Sequence, residues 1–292
     1  MPTASESAVS NPVEQQNSIA RPVGIRGIGL HTGDDCRLTF LPAEADAGYL
    51  FRRVDLPGKP EIRPLAENVT DTSRGTTIAA DGAEVHTVEH ILSALSGLGI
   101  DNAVIELDNH EPPVVDGSSR PFVGVLREAG RVTQDAPRRY LVPEEPLVYS
   151  SGTAQMMLIP APGPLRLSFA LHFDHPVLRS QYREFVLDEQ RYTEEIAPAR
   201  TFCFLHEVSL LRKAGLIKGG SLDCAVVIGD EEVLNDNLRY ADEFVRHKLL
   251  DLIGDLTLIG APLRAQVVSL KGGHTANVGL ALALRRRLGL AA

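Results

Sequence analysis

The sequence predicts an α+β protein made of two units with similar element order. Three observations carry this. The 292 residues correspond to two domains at roughly 150 residues each. Each half reads as several strands with two or three helices. Between the halves, residues 134–146 hold three prolines and several charges, which suits a domain boundary. No sequence identity between the halves is visible, so a duplication rests on element order alone.

Residues 1–18 are polar and lack an apolar run. That excludes a signal peptide and predicts a disordered tail. The first unit, 19–136, opens with strands over 18–30 and 36–42 around the turn Gly29-Leu30-His31-Thr32-Gly33. Asp81-Gly82, flanked by short β-prone runs at 76–79 and 83–85, is a hairpin signal. From near Thr87, the residues Val88, Ile91, Leu92, Leu95 and Leu98 keep helical spacing, and Gly99 can end the helix. A strand over 102–107, a turn at Asp116-Gly117-Ser118 and a helix over 121–129 before Gly130 complete this unit. The second unit, 137–292, reads as strands at 154–159, 166–173 and 182–187. A helix over 203–214 ends at Gly215, and 223–228 is a buried strand. The longest helix runs over 239–259 and stops at Gly260 and Pro262. A strand at 266–270 and a last helix after Gly272-Gly273 close the chain.

Hydrophobic residues make up 43% and charged residues 23%, ordinary for a soluble globular protein. The net charge of -9 argues against a nucleic-acid partner, which needs a basic surface. No stretch of about 18 apolar residues occurs, so no transmembrane helix is expected. The three cysteines, Cys36, Cys203 and Cys224, are too few and too scattered for a disulfide framework or a cysteine metal site. Any metal must therefore sit on histidine and carboxylate, and the cytoplasm is the expected compartment.

Four segments offer chemistry. On the long helix, Val245, Leu249, Leu252, Ile253, Leu256 and Ile259 form an apolar face. His247, Lys248, Asp251 and Asp255 form the opposite stripe. His247 and Asp251 are i,i+4 neighbours, a workable metal-ligand spacing. A solvated face on which Lys248 neutralises both aspartates is the alternative, and the stripe taken alone favours it. Glu89 and His90 lie off the apolar stripe of their helix, beside Ser93, Ser96 and Gly97. They could be a base beside a ligand, or a charged first turn favoured by the helix dipole. His274 follows two glycines, which suits a general acid or a surface histidine. Thr201, in Ala199-Arg200-Thr201-Phe202, could cap a helix or offer its hydroxyl to an oxyanion. His31 and Asp116 sit in glycine turns and read as structural.

Together these segments resemble the UDP-3-O-acyl-N-acetylglucosamine deacetylases of lipid A synthesis. The matching stretches are Gly27-Ile28-Gly29-Leu30-His31-Thr32-Gly33, Thr87-Val88-Glu89-His90 running on to Gly97-Leu98-Gly99-Ile100-Asp101-Asn102, and Asp116-Gly117-Ser118. Then come Ala199-Arg200-Thr201-Phe202, Gly219-Gly220-Ser221-Leu222-Asp223-Cys224, the run from Asp242 to Asp251, and Gly273-His274. They span nearly the whole chain beyond residue 18 in the family's order. The resemblance implies two α+β layers facing each other as a sandwich, with the site between them. It implies one zinc ion per chain on His90, His247 and Asp251, with Glu89 as general base. It implies that His274 is a cationic helper supported by Asp255, that Lys248 and Thr201 line the reacting amide, and that Phe202 lines the substrate pocket. The implied reaction removes the N-acetyl group of UDP-3-O-(hydroxyacyl)-N-acetylglucosamine, and a monomer is expected. A zinc amidohydrolase for another N-acetylated sugar and a non-catalytic sugar-nucleotide binding protein are the alternatives.

Overall fold

A computed structural model describes residues 14–291. The chain begins along β1 (Gln15–Ile19). β2 (Val23–Ile28), β3 (Asp35–Pro42), β4 (Tyr49–Arg53) and β5 (Glu61–Ile62) follow. An insert of β6 (Val69–Asp71), β7 (Thr77–Ala80) and β8 (Ala83–Val85) precedes α1 (Glu89–Gly97), β9 (Ala103–Leu107) and α2 (Arg120–Ala129). β10 (Arg131–Pro137) leaves the first half. The second half repeats the plan with β11 (Leu147–Ser151), β12 (Ala154–Pro160), β13 (Arg166–His172) and β14 (Ser180–Val186). Its insert holds α3 (Glu189–Arg191), β15 (Phe202–Phe204), α4 (Leu205–Lys213) and β16 (Val226–Ile228). Then come α5 (Glu243–Leu256), β17 (Ala265–Leu270) and α6 (His274–Arg287).

The two main sheets share one topology. Their strand orders are β2-β3-β9-β4-β5 and β11-β12-β17-β13-β14. In each, the last strand of the sheet in chain order pairs parallel with the third (β9 with β4, β17 with β13), while the other neighbours are antiparallel. The repeat expected from element order is therefore present in the connectivity. α2 packs on β2, α5 on β13 and β14, and α6 on β11 and β12, while α1 packs on α5 and α2. The helical layers thus meet between the sheets. Their contact is close because Gly254 of α5 has no side chain: a Cβ there would come within 2.1 Å of the Glu89 carbonyl oxygen.

Local chemistry sets the boundaries. Asp81 and Gly82 both take positive φ, 52° and 76°, as a two-residue hairpin turn of the I′ type requires. Several expectations need correction. Residues 15–18 belong to β1, paired antiparallel with β10, not to a disordered tail. Two of their polar side chains are satisfied internally: Gln16 donates to Asp46, and Ser18 donates to the Asn102 carbonyl. Residues 1–13 of that expected tail lie outside the described residues. The pairing with β1 also makes strand of residues 134–137, at the start of the segment read as a domain boundary. The helix expected from 203 begins at Leu205, because Phe202–Phe204 pairs parallel with β16. Thr201 is therefore no helix cap; its amide donates to the Gly117 carbonyl, and its own carbonyl accepts from Val226. The long helix starts at Glu243 rather than 239, because Arg239 instead bonds the Pro198 carbonyl and Asp116.

Candidate active site

His90 on α1 meets His247 and Asp251 on α5. Their candidate ligand atoms all lie within 4.8 Å of one another. His247 Nε2 is 3.3 Å, and His90 Nε2 3.7 Å, from Asp251 Oδ1. His247 Nδ1 sits 3.1 Å from the Ala199 carbonyl. Only a protonated Nδ1 makes that bond, which leaves Nε2 bare toward Asp251. Burial pushes the His247 pKa down to about 3, against the pull of Asp251, so the ring stays neutral. Burial alone would raise the Asp251 carboxyl, but the cationic Lys248 and His274 beside it hold it well below the usual range. Lys248 Nζ bonds Asp251 Oδ2 at 2.7 Å. Asp251 Oδ1 is buried without any hydrogen-bond partner, an arrangement costly in a folded protein unless something completes it. Two imidazole nitrogens, that of His247 bare, and one orphaned carboxylate oxygen fit a divalent cation.

The solvated-stripe alternative fails. His247, Asp251 and Asp255 are 3%, 1% and 0% exposed, because α1 covers that face of α5. Glu89 and His90 are equally buried, so they are not a charged, exposed first turn. Ser93 and Gly97 leave room for protein rather than ligand. Tyr192 lies over Gly97, and its hydroxyl donates to Ser93 Oγ.

Beside the triad, Glu89 Oε2 accepts the Thr76 amide at 2.9 Å. Burial raises its pKa despite nearby His274 and His90. His274 opens α6, and its Nδ1 lies 2.9 Å from Asp255 Oδ2. Asn277 Nδ2 donates to the same oxygen at 2.9 Å, and Thr76 Oγ1 donates to Asp255 Oδ1 at 2.6 Å. Burial would lower the His274 pKa, but Asp255, Asp251 and Glu89 outweigh it and raise the value to about 9. His274 is therefore a cation at neutral pH, not a surface histidine.

Glu89, His90, Thr201, Phe202, His247, Lys248, Asp251 and His274 line one cavity of about 270 Å³. Asp255 stands behind His274. Phe202 packs edge-on against His247, with Lys248 Nζ 5.5 Å from its ring centre. A second cavity of about 340 Å³ adjoins the first through Leu30, Arg74, Thr201, Phe202 and Cys203. Apolar side chains dominate it, among them Leu205, Val208, Leu211, Ile217, Leu222 and Val227. Asp116 is structural as expected, bonded to Arg239, Arg120 and Ser118. His31 borders the second cavity, and its amide donates to Glu111.

Sequence reasoning missed Thr76, Asn277 and the Ala199 carbonyl. Asn277 carries a weak signal, since it lies i,i+3 from His274 and so faces the same way. Thr76 carries none, because its contacts are all made by other elements.

A buried cluster of two histidines and an aspartate that could hold a divalent cation, with a desolvated carboxylate and a cationic imidazole on the same cleft, is the kind of site found in metal-dependent hydrolases, here on an α+β fold. A family model described as UDP-3-O-acyl N-acetylglycosamine deacetylase matches residues 16–286. The chain belongs to that family. It is 45% identical over 266 residues to a protein of Saccharophagus degradans, covering 90% of this chain and 88% of that protein. It is 46% identical over 260 residues to one of Bdellovibrio bacteriovorus, covering 89% and 86%. A protein of Syntrophotalea carbinolica is 44% identical over 263 residues, covering 90% and 85%. All three are named UDP-3-O-acyl-N-acetylglucosamine deacetylase.

Proposed function

We propose that this protein is a zinc-dependent deacetylase of lipid A biosynthesis. It hydrolyses the N-acetyl group of UDP-3-O-(hydroxyacyl)-N-acetylglucosamine and releases acetate. The observation that carries this reading, in a chain of this family, is the orphaned Asp251 Oδ1 between the imidazole nitrogens of His90 and His247, beside buried Glu89. His90, His247 and Asp251 would hold one zinc ion, which supplies Lewis acidity to the cleft when bound.

The chain's own residues supply the rest. Glu89 takes a proton from the attacking water as its oxygen adds to the acetamide carbonyl. The Thr201 hydroxyl donates to the oxyanion, and the Lys248 ammonium lines the same amide. His274, protonated and held by Asp255, gives a proton to the amine as the C–N bond breaks. Phe202 forms the apolar wall of the pocket. The adjoining apolar cavity suits an O-linked acyl chain, which favours an acylated substrate over a bare N-acetylated sugar. A binding-only role gives no reason to bury Glu89 beside His274.

The same reading treats residues 19–136 and 137–292 as two units with the site between them, in a monomeric cytoplasmic enzyme. Among the described residues, no helix is long and apolar enough to cross a membrane. The test is acetate release from acylated and non-acylated UDP-N-acetylglucosamine. Turnover of the acylated compound that stops on chelation and returns with zinc is expected. Equal turnover of both compounds, or turnover indifferent to chelation, overturns the reading.

A further inference from the structure

Thr76 is where the proton-handling groups of the cleft meet. It lies just before β7 and is fully buried. All three of its polar groups are engaged. Its carbonyl accepts the Val88 amide at the start of α1, at 3.2 Å. Its amide donates to Glu89 Oε2 at 2.9 Å. Glu89 Oε1, 4.0 Å from His274 Nε2, is left free of that bond. Its hydroxyl donates to Asp255 Oδ1 at 2.6 Å and lies 3.3 Å from His274 Nδ1.

The other oxygen of Asp255 accepts from His274 Nδ1 and from Asn277 Nδ2, each at 2.9 Å. A buried carboxylate bonded on both oxygens cannot turn without stranding a polar atom. With Asp255 fixed, His274 Nδ1 is fixed, and Nε2 faces Glu89 and Asp251. We propose that Thr76 is a positioning residue that sets both Glu89 and, through Asp255, His274. The proposal rests on the roles given above to Glu89 and His274. Thr76 itself touches no reacting atom.

Thr76→Val keeps the volume and the amide and removes only the hydroxyl. The kcat for acetate release should fall by about tenfold or more, with KM and zinc per chain unchanged. Thr76→Ser should recover kcat to within about threefold of the parent. In a His274→Gln background the same Thr76→Val change should alter kcat by less than about twofold, because the group it positions is gone. A kcat for Thr76→Val within about threefold of the parent, or an equal loss in both backgrounds, overturns the proposal. Should the valine variant not fold, Thr76→Ala, which admits water beside Asp255, carries the same comparison. A parent protein that binds zinc and releases no acetate fails the underlying reading before any variant is made.

Discussion

Asp251 shows how much one side chain does in this cleft. Its Oδ2 is neutralised by Lys248, while its Oδ1 faces two imidazole nitrogens and has no hydrogen-bond partner. Removing His247 should therefore cost metal, whereas removing Glu89 should cost only turnover. In metal analysis, His247→Ala is expected to lose most of its zinc and Glu89→Ala to keep it. The Glu89 variant should be slower by about 10²–10⁴-fold, as for a lost general base. Full zinc in His247→Ala, or a loss below about tenfold in Glu89→Ala, removes that residue from its role. The pH profile of kcat/KM follows from two opposite requirements. Glu89 must be ionised, and its pKa is raised by burial, so the rate climbs as pH rises through that value. His274 must be protonated, so the rate falls as pH rises through about 9. The alkaline limb of His274→Gln should flatten or move; if it stays with the parent's rate, His274 is a bystander. The juxtaposition of His247 and Asp251 was legible because i,i+4 spacing puts them on one side of a helix, whereas His90 joined them only through the family resemblance. Burial was not legible, since a polar stripe looks the same whether it faces water or another helix.

At the scale of elements, the contact between α1 and α5 decides whether the ligands meet. Gly254 lets the helices approach, and a methyl group there would strike the Glu89 carbonyl oxygen. Gly254→Ala is expected to destabilise the protein by about 1–3 kcal/mol, as overpacking does. It should also reduce activity more than its stability loss explains, because it pushes Glu89 and His90 away from α5. Denaturant unfolding read beside kcat separates the two; unchanged stability and activity would mean that the helices are not so tightly apposed. The long periodic helices were readable in the sequence, as was the hairpin at Asp81-Gly82. β1 was hidden by its polar composition, since it is held by side-chain hydrogen bonds as well as by apolar burial. β5, two residues long, is too short for alternation to register. The strand Phe202–Phe204 was absorbed into the helix that follows it, because apolar spacing cannot separate a short buried strand from a helix start.

At the scale of the whole molecule, two halves of identical strand order each lend one central helix to a single site. His90 comes from one half, and His247 and Asp251 come from the other. The cation would therefore act as a staple between halves. Anything that binds the folded state stabilises it by mass action, by about 4 kcal/mol when free ligand is 1,000 times its dissociation constant. Chelated protein should unfold at a lower temperature and be cleaved faster by a protease than the zinc-loaded form. His247→Ala should be insensitive to added zinc in both measurements, and equal digestion of loaded and chelated parent would refute the staple. The lifetime of this protein would then follow metal supply. Starvation for the cation would not only silence the enzyme but also mark it for destruction.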